Sequence, residues 1–301
     1  MAYWYVRTIA WLFELTSPSV PTPPDKARAG LKQSLKLAPW LVGRPQSCSK
    51  TEDREIVGVP VRVYRPSAGT LPVIAYFHGG GWVEGDLDTH DVPCRALANL
   101  SGALVVAVHY RRAPEQPFPA AIDDCEAVVR WLAAHADQLA GDGSRLAVAG
   151  ESAGGHLAAV VAQTCRDLPL RAQLLIYPVV DCSKETLSYA KFATGNILSA
   201  ERMRYFIAAF VPDANQRADP RASPLLASDV SRVAPAFLSS APEDVLRDEG
   251  LAYAEKLRSA GVAVTVVDAH GLLHGYVNML GLSPAMAEFT RAAQWLRDRL
   301  A

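Results

Sequence analysis

A serine inside a glycine turn carries the first chemical signal of this chain. Residues 150–155 read Gly-Glu-Ser-Ala-Gly-Gly, between an apolar strand-like run at 145–149 and a helix-like run at 156–161. Glycines on either side of Ser152 let the backbone turn sharply from strand to helix, so that the hydroxyl projects from the edge of a sheet. A hydroxyl exposed in this way is a candidate nucleophile for acyl transfer.

A base must take the proton of that hydroxyl, and a carboxylate that orients the base completes a triad. Three histidines follow the serine: His156, one helical turn beyond it, and His270 and His274, both in a loop after a strand-like run. We expect His156 to serve in packing or hydrogen bonding. Chain distance does not separate His270 from His274, and both remain candidates for the base.

Two aspartates, Asp181 and Asp244, follow strand-like runs and are candidates for the acid. The run before Asp244 is the last one before the strand that leads to the histidine loop, so neighbouring strand ends would bring this acid beside the base. Asp248 and Glu249 begin the next helix, where acidic residues are favoured by the helix dipole, and we interpret them as helix-end charges.

The negative oxygen of a tetrahedral intermediate needs hydrogen-bond donors, and a second glycine run offers them. His78-Gly-Gly-Gly-Trp82 follows a strand-like run, and its amides are free to turn toward a ligand. The predicted donors are the amides of Gly79, Gly80, Gly81 and Ala153. A phosphate-binding loop is disfavoured, since the Gly-x-x-x-x-Gly-Lys-Ser/Thr pattern is missing and no lysine is nearby.

Strand-like and helix-like segments alternate over most of the chain, which predicts an α/β fold with a mostly parallel sheet and helices on both faces. An antiparallel hairpin is expected within 56–64, around a Gly-Val-Pro turn. The other predicted strands are 72–77, 103–108, 146–149, 174–177, 236–239 and 262–267. The predicted helices are 27–37, 91–100, 120–139, 156–165, 246–260 and 284–300.

Two segments outside this rhythm predict a cap over the sheet. Residues 3–15 have aromatic and aliphatic side chains at helical spacing, and residues 182–227 are polar and too long for a simple connection. The expected organisation is N-terminal cap helices in 1–45, a catalytic domain in 46–181 and 228–301, and a cap insertion in 182–227. The aromatic side chains that could shape the pocket, or equally form the cap's own core, are Trp4, Trp11, Phe13, Trp82 and Phe206. Of these, Trp82 and Phe206 are the predicted substrate contacts.

The composition favours small neutral partners. The chain has 30 Lys and Arg against 31 Asp and Glu, a net charge of −1, so neither nucleic acid nor an anionic membrane surface is indicated. Five scattered cysteines predict free thiols in a reducing compartment, hence a cytoplasmic protein. No signal peptide or membrane span is expected, and either a monomer or a homodimer fits.

Taken together, these motifs resemble the hormone-sensitive-lipase-like branch of the α/β-hydrolases, also known as bacterial family IV. The resemblance rests on the motifs that begin at His78, Gly150 and Asp244, on the stretch 110–121, and on His274-Gly-Tyr276, all in the family's order. It implies a serine carboxylesterase for short- to medium-chain esters without a metal or organic cofactor, and a Ser152, Asp244 and His274 triad under a helical cap. It selects His274 over His270, because the family's base stands directly before Gly and an aromatic residue.

Three positions depart from the family pattern: Val245 stands where proline is usual, Glu151 where aspartate is usual, and Arg112 where leucine is usual. Two alternatives remain. An amidase, lactonase or carbamate hydrolase would use the same triad. A non-catalytic small-molecule-binding protein, like the plant hormone receptors of this family, is disfavoured by His274, because those receptors lack the catalytic histidine.

Overall fold

An eight-stranded sheet forms the centre of the computed structural model, which describes residues 3–4, 6–9, 23–194 and 196–301. The strand order is β1-β2-β4-β3-β5-β6-β7-β8. β2 runs antiparallel to both of its neighbours, and all other neighbours are parallel. The strands are β1 Lys50–Ile56, β2 Val59–Arg65, β3 Leu71–Phe77, β4 Leu104–Val108, β5 Gly141–Glu151, β6 Leu170–Ile176, β7 Ala236–Ser240 and β8 Val264–Asp268.

Helices cover both faces of the sheet, because its central strands are apolar on both sides. The helices are α1 Pro24–Leu37, α2 Pro39–Val42, α3 Asp91–Ser101, α4 Ala120–His135, α5 Ala153–Thr164, α6 Leu187–Lys191, α7 Ala200–Phe210, α8 Arg247–Ser259 and α9 Ser283–Leu300. Along β3 the side chains alternate between two cores. Val73 and Phe77 join one core with α4, α5 and α8, while Ile74 and Tyr76 join a second core with α3 and α9. The predicted α/β architecture is confirmed.

Several local predictions differ from the structure. The hairpin turns at Val57 and Gly58, not at a Gly-Val-Pro turn, since β1 starts at Lys50 and pairs Ile56 with Val59. β1 has a mostly exposed, charged face, which hid its strand character from hydrophobicity. Most of the predicted helix over 3–15 falls outside the described residues; Trp4 and residues 6–9 are helical.

The cysteines match the expectation of unpaired thiols: all five are free, and only Cys48 is partly exposed. Among the described helices, none has the length and apolar character needed to cross a membrane.

Candidate active site

Ser152 occupies a strained turn between β5 and α5. Its backbone has φ +56° and ψ −120°, a region that residues with a side chain rarely adopt. The flanking glycines are required by close backbone contacts: a Cβ on Gly154 would lie 1.9 Å from the carbonyl oxygen of Phe77, and one on Gly150 would lie 2.2 Å from that of Gly154. The strand, turn and helix therefore present the Ser152 hydroxyl at the carboxyl edge of the sheet.

The structure brings Ser152, Asp244 and His274 together from the ends of three strands. His274 Nε2 lies 3.0 Å from Ser152 Oγ, and His274 Nδ1 lies 2.7 Å from Asp244 Oδ2. All three side chains are largely buried. His270 is exposed, and Asp181 accepts its hydrogen bonds from Ser183 and neighbouring groups, so these two candidates stay outside the triad.

This geometry is suited to proton transfer from the serine. With its Nδ1 proton donated to Asp244, the imidazole has an Nε2 lone pair directed at the Ser152 hydroxyl. The other oxygen of Asp244, Oδ1, accepts the amide of Leu246 at 3.0 Å, which fixes the carboxylate. Tyr177 packs its ring against His274 at 4.5 Å and accepts the amide of Val277. Sequence reasoning missed Tyr177, whose only signal was its position directly after β6.

His156 has the structural role that the sequence predicted. Its Nδ1 accepts the indole N–H of Trp82 at 3.2 Å, and its Nε2 donates to the carbonyl of Ala222 at 3.2 Å. Burial lowers the pKa of the His156 imidazole to about 4. The ring is therefore neutral and joins α5 to the segment 182–227.

The peptide groups of the loop after β3 decide which amides reach the cavity. A trans peptide directs its carbonyl and its N–H to opposite sides. The Gly79 carbonyl faces His78 Nδ1 at 2.8 Å, and the Gly80 carbonyl accepts the amides of Val83 and Glu84 at 3.1 and 2.7 Å. The amides of Gly80 and Gly81 consequently point away from these contacts. Both glycines line the cavity.

The prediction for Gly79 needs a correction. Its amide donates to Glu151 Oε1 and is therefore not available to an oxyanion. The remaining predicted donors are Gly80, Gly81 and Ala153. Ala153 is the first residue of α5, so its amide has no acceptor within the helix.

A cavity of about 120 Å³ opens beside Ser152 and His274. Phe206, a predicted substrate contact, lines it, and one of its ring atoms would lie 2.2 Å from a Cβ on Gly81. Trp82 needs a correction, because it is fully buried and stacks on Phe210 at 4.2 Å, and it is not among the described residues that line the cavity. Further lining residues include Leu31, Tyr177, Ile197, Leu198, Arg202 and Asn278.

Glu249 also differs from its predicted role as a helix-end charge. Its side chain is completely buried and accepts the amides of Val180 and Asp181 at 2.8 and 3.3 Å, which ties α8 to the loop after β6. Burial raises the pKa of the Glu249 carboxyl well above its usual range. Asp248 accepts the amide of Ser188 at 2.9 Å, and so links the same helix to α6.

Comparison with known proteins gives a consistent result. A family model described as alpha/beta hydrolase fold matches residues 74–278. Carboxylesterase NlhH of Mycobacterium tuberculosis is 43% identical over 275 residues, covering 88% of this chain and 86% of the relative. Ethyl acetate hydrolase of Pseudomonas putida is 40% identical over 266 residues, covering 85% of this chain and 83% of the relative.

A solved structure shares the complete fold. The crystal structure of a thermostable esterase from Pseudomonas putida superposes with a TM-score of 0.94 at 38% identity, covering 100% of this chain and 98% of the other.

Proposed function

Because this chain belongs to the α/β-hydrolase fold family, in its hormone-sensitive-lipase-like branch, and is a carboxylic ester hydrolase, we propose that Ser152, His274 and Asp244 are its catalytic triad. The observation that carries the proposal is the pair of contacts at His274, 3.0 Å to the serine oxygen and 2.7 Å to the aspartate. A base that contacts both partners is the arrangement that acyl transfer requires.

The reaction proceeds in two half-reactions. Ser152 Oγ attacks the ester carbonyl while its proton passes to His274 Nε2, and the amides of Gly80, Gly81 and Ala153 receive the resulting oxyanion. Collapse of this intermediate breaks the bond to the alcohol, which leaves with the proton from His274. Water then attacks the acyl-enzyme and gives a proton to His274, which passes it to Ser152 Oγ as the bond to the acyl carbon breaks and the carboxylic acid leaves.

The size of the cavity supports short acyl chains. Its volume of about 120 Å³ is only a few times the roughly 30 Å³ that one water molecule takes up in the liquid. A short acyl chain matches this space better than a long one. We further propose that α1 and the segment 182–227 form the cap over it, since Leu31 and Phe206 both line the cavity.

A cytoplasmic setting is part of the proposal, supported by the five free cysteines.

Replacing the serine tests the mechanism. Ser152→Ala should lower kcat for p-nitrophenyl butyrate by about 10⁴-fold or more, and should prevent labelling by an organophosphate. Ser231→Ala, in a loop outside the cavity, is the matched control and should keep full activity. Turnover or labelling retained by Ser152→Ala would refute the assignment.

A series of p-nitrophenyl esters from acetate to palmitate tests the substrate class. The highest kcat/KM is expected at acetate to hexanoate, and a maximum at palmitate would contradict the size argument. Comparing an ester with its matching amide then separates esterase from amidase action by the same triad.

A further inference from the structure

Glu151 is a buried carboxylate beside the nucleophile that the reaction steps above leave unused. It is the last residue of β5, and its side chain is 4% exposed. Burying a carboxylate is costly unless several donors surround it. The donors around Glu151 therefore indicate what the residue does.

Each oxygen of Glu151 has a defined partner. The Tyr76 hydroxyl donates to Oε2, and the Gly79 amide donates to Oε1. His90 Nε2 lies 2.8 Å from Oε1, and the other ring nitrogen of His90 lies 2.9 Å from Thr89 Oγ1. Tyr76 and His90 are themselves almost completely buried. The carboxylate is thus held from two sides, and it holds the amide of Gly79 in turn.

The position of Gly79 controls the next two amides of the loop. Gly80 and Gly81 have φ values of +112° and +59°, which glycine adopts readily because it has no Cβ. Such a segment needs external contacts to keep one orientation. The carbonyls of Gly79 and Gly80 have partners within the loop itself, whereas the Gly79 amide is anchored to the strand that carries Ser152.

We propose that Glu151, clamped by Tyr76 and His90, is a positioning residue that holds the loop 79–81 at the correct distance from Ser152. This inference rests on the proposed triad and oxyanion donors. Glu151 is adjacent to the nucleophile in the chain, so one side chain sets the relative position of the attacking oxygen and the oxyanion donors. The carboxylate acts through Gly79 and forms no bond to the substrate.

A pair of near-isosteric variants tests this role. Glu151→Met removes both acceptor oxygens and should lower kcat about a hundredfold with KM changed less than twofold, because the oxyanion exists only after substrate has bound. Glu151→Gln keeps one oxygen for the Gly79 amide and should retain kcat within about tenfold of the parent. For each variant, the Ki of a trifluoromethyl ketone, which forms a tetrahedral adduct, should rise by the same factor by which kcat falls.

A milder variant keeps the proposal testable if Glu151→Met does not fold. Tyr76→Phe removes one hydroxyl from the clamp and should lower kcat severalfold, again at constant KM. Glu288→Gln is the control, since Glu288 is a buried carboxylate on α9 that accepts from Ser239 outside the cavity.

Three results would overturn the proposal: unchanged kcat in Tyr76→Phe and in folded Glu151→Met, a rise in KM that accounts for the loss, or an equal loss in Glu151→Gln and Glu151→Met. If Ser152→Ala is inactive while Glu151→Met retains full kcat, the positioning role fails and the triad stands. If Ser152→Ala keeps its activity, the triad itself fails.

Discussion

The two sides of the cavity are built in different ways. On the catalytic side, the groups that are held belong to the backbone: Ser152 occupies a turn in which Gly154 has no room for a side chain, and the glycine loop is anchored through its own amides and carbonyls, one of them bound by the Glu151 side chain. On the cap side, side chains do the placing. α7 packs Phe206 over Gly81 and pairs Arg202 with Glu84 at 2.8 Å.

The two elements of the proposed cap differ from each other as well. α7 buries five residues against the rest of the protein, while α1 has no buried residue and is attached by polar contacts, such as those of Arg28 with the Val83 carbonyl and Glu115. Backbone-to-backbone fit tolerates no added atom, whereas a side-chain contact can rearrange. We therefore expect substitutions in the turn around Ser152 to lower kcat and substitutions in α7 to change substrate specificity. Substitutions in α1 should have little effect on either.

The largest effect is expected at Gly154. Gly154→Ala would place a Cβ 1.9 Å from the Phe77 carbonyl oxygen, so strand β3 and the turn around Ser152 must move apart. We expect at least a thousandfold loss of kcat/KM, or loss of the fold, measured by ester hydrolysis and thermal unfolding. Gly30→Ala in α1 meets no atom within 4 Å and should stabilise that helix by about 0.5–1 kcal/mol. Equal effects of the two substitutions would contradict the claim that the turn around Ser152 tolerates less change than α1.

His156 tests the junction between the two sides through pH. Its pKa is about 4 in the folded protein and about 6.5 when unfolded, so the unfolded chain binds the proton first as pH falls. The stability contributed by neutral His156 is complete above about pH 6.5 and is lost progressively toward pH 4, by about 3 kcal/mol.

Urea unfolding between pH 7 and pH 4 measures that loss. His156→Gln should reduce the slope of the unfolding free energy against pH by the equivalent of about one bound proton. His135→Gln, at an exposed position, should leave that slope as in the parent. Parallel curves for His156→Gln and the parent would contradict the assignment.

Phe206 tests the claim that α7 sets specificity. Phe206→Ala would enlarge the cavity above Gly81, and the ratio of kcat/KM for octanoate over butyrate should rise about tenfold. Phe192→Ala removes a cap phenylalanine that is not among the described lining residues, and should leave this ratio unchanged. A fall in kcat for every ester alike would instead assign Phe206 to the catalytic side.

The smallest effect is expected at α1. Lys32 forms ion pairs with Asp86 at 2.7 Å and Asp88 at 3.2 Å near the surface, and such pairs contribute less than about 1 kcal/mol. Lys32→Ala should lower the free energy of unfolding by a few tenths of a kcal/mol, and added salt should reduce the difference. A large loss of stability would show that α1 is held as firmly as α7.

Sequence reasoning succeeded where a local pattern carries the information. The glycines around Ser152 identify the turn because a sharp strand-to-helix turn demands them, and alternating apolar segments identify the parallel sheet. It failed where a partner distant in the chain decides the outcome. Trp82 stacks on Phe210, the Gly79 amide binds Glu151, and Glu249 is buried against the loop after β6.

The sequence by itself determined the fold class, the family resemblance and the candidate nucleophile, because each depends on residue types at short spacing. The resemblance implied Asp244 and His274, and only the tertiary structure showed that these two contact each other and Ser152. It also showed that Glu151 binds the Gly79 amide and so links the loop to the strand that leads to Ser152. Hydrogen-bond direction depends on peptide orientation and on groups more than 70 residues apart, and no local pattern encodes either.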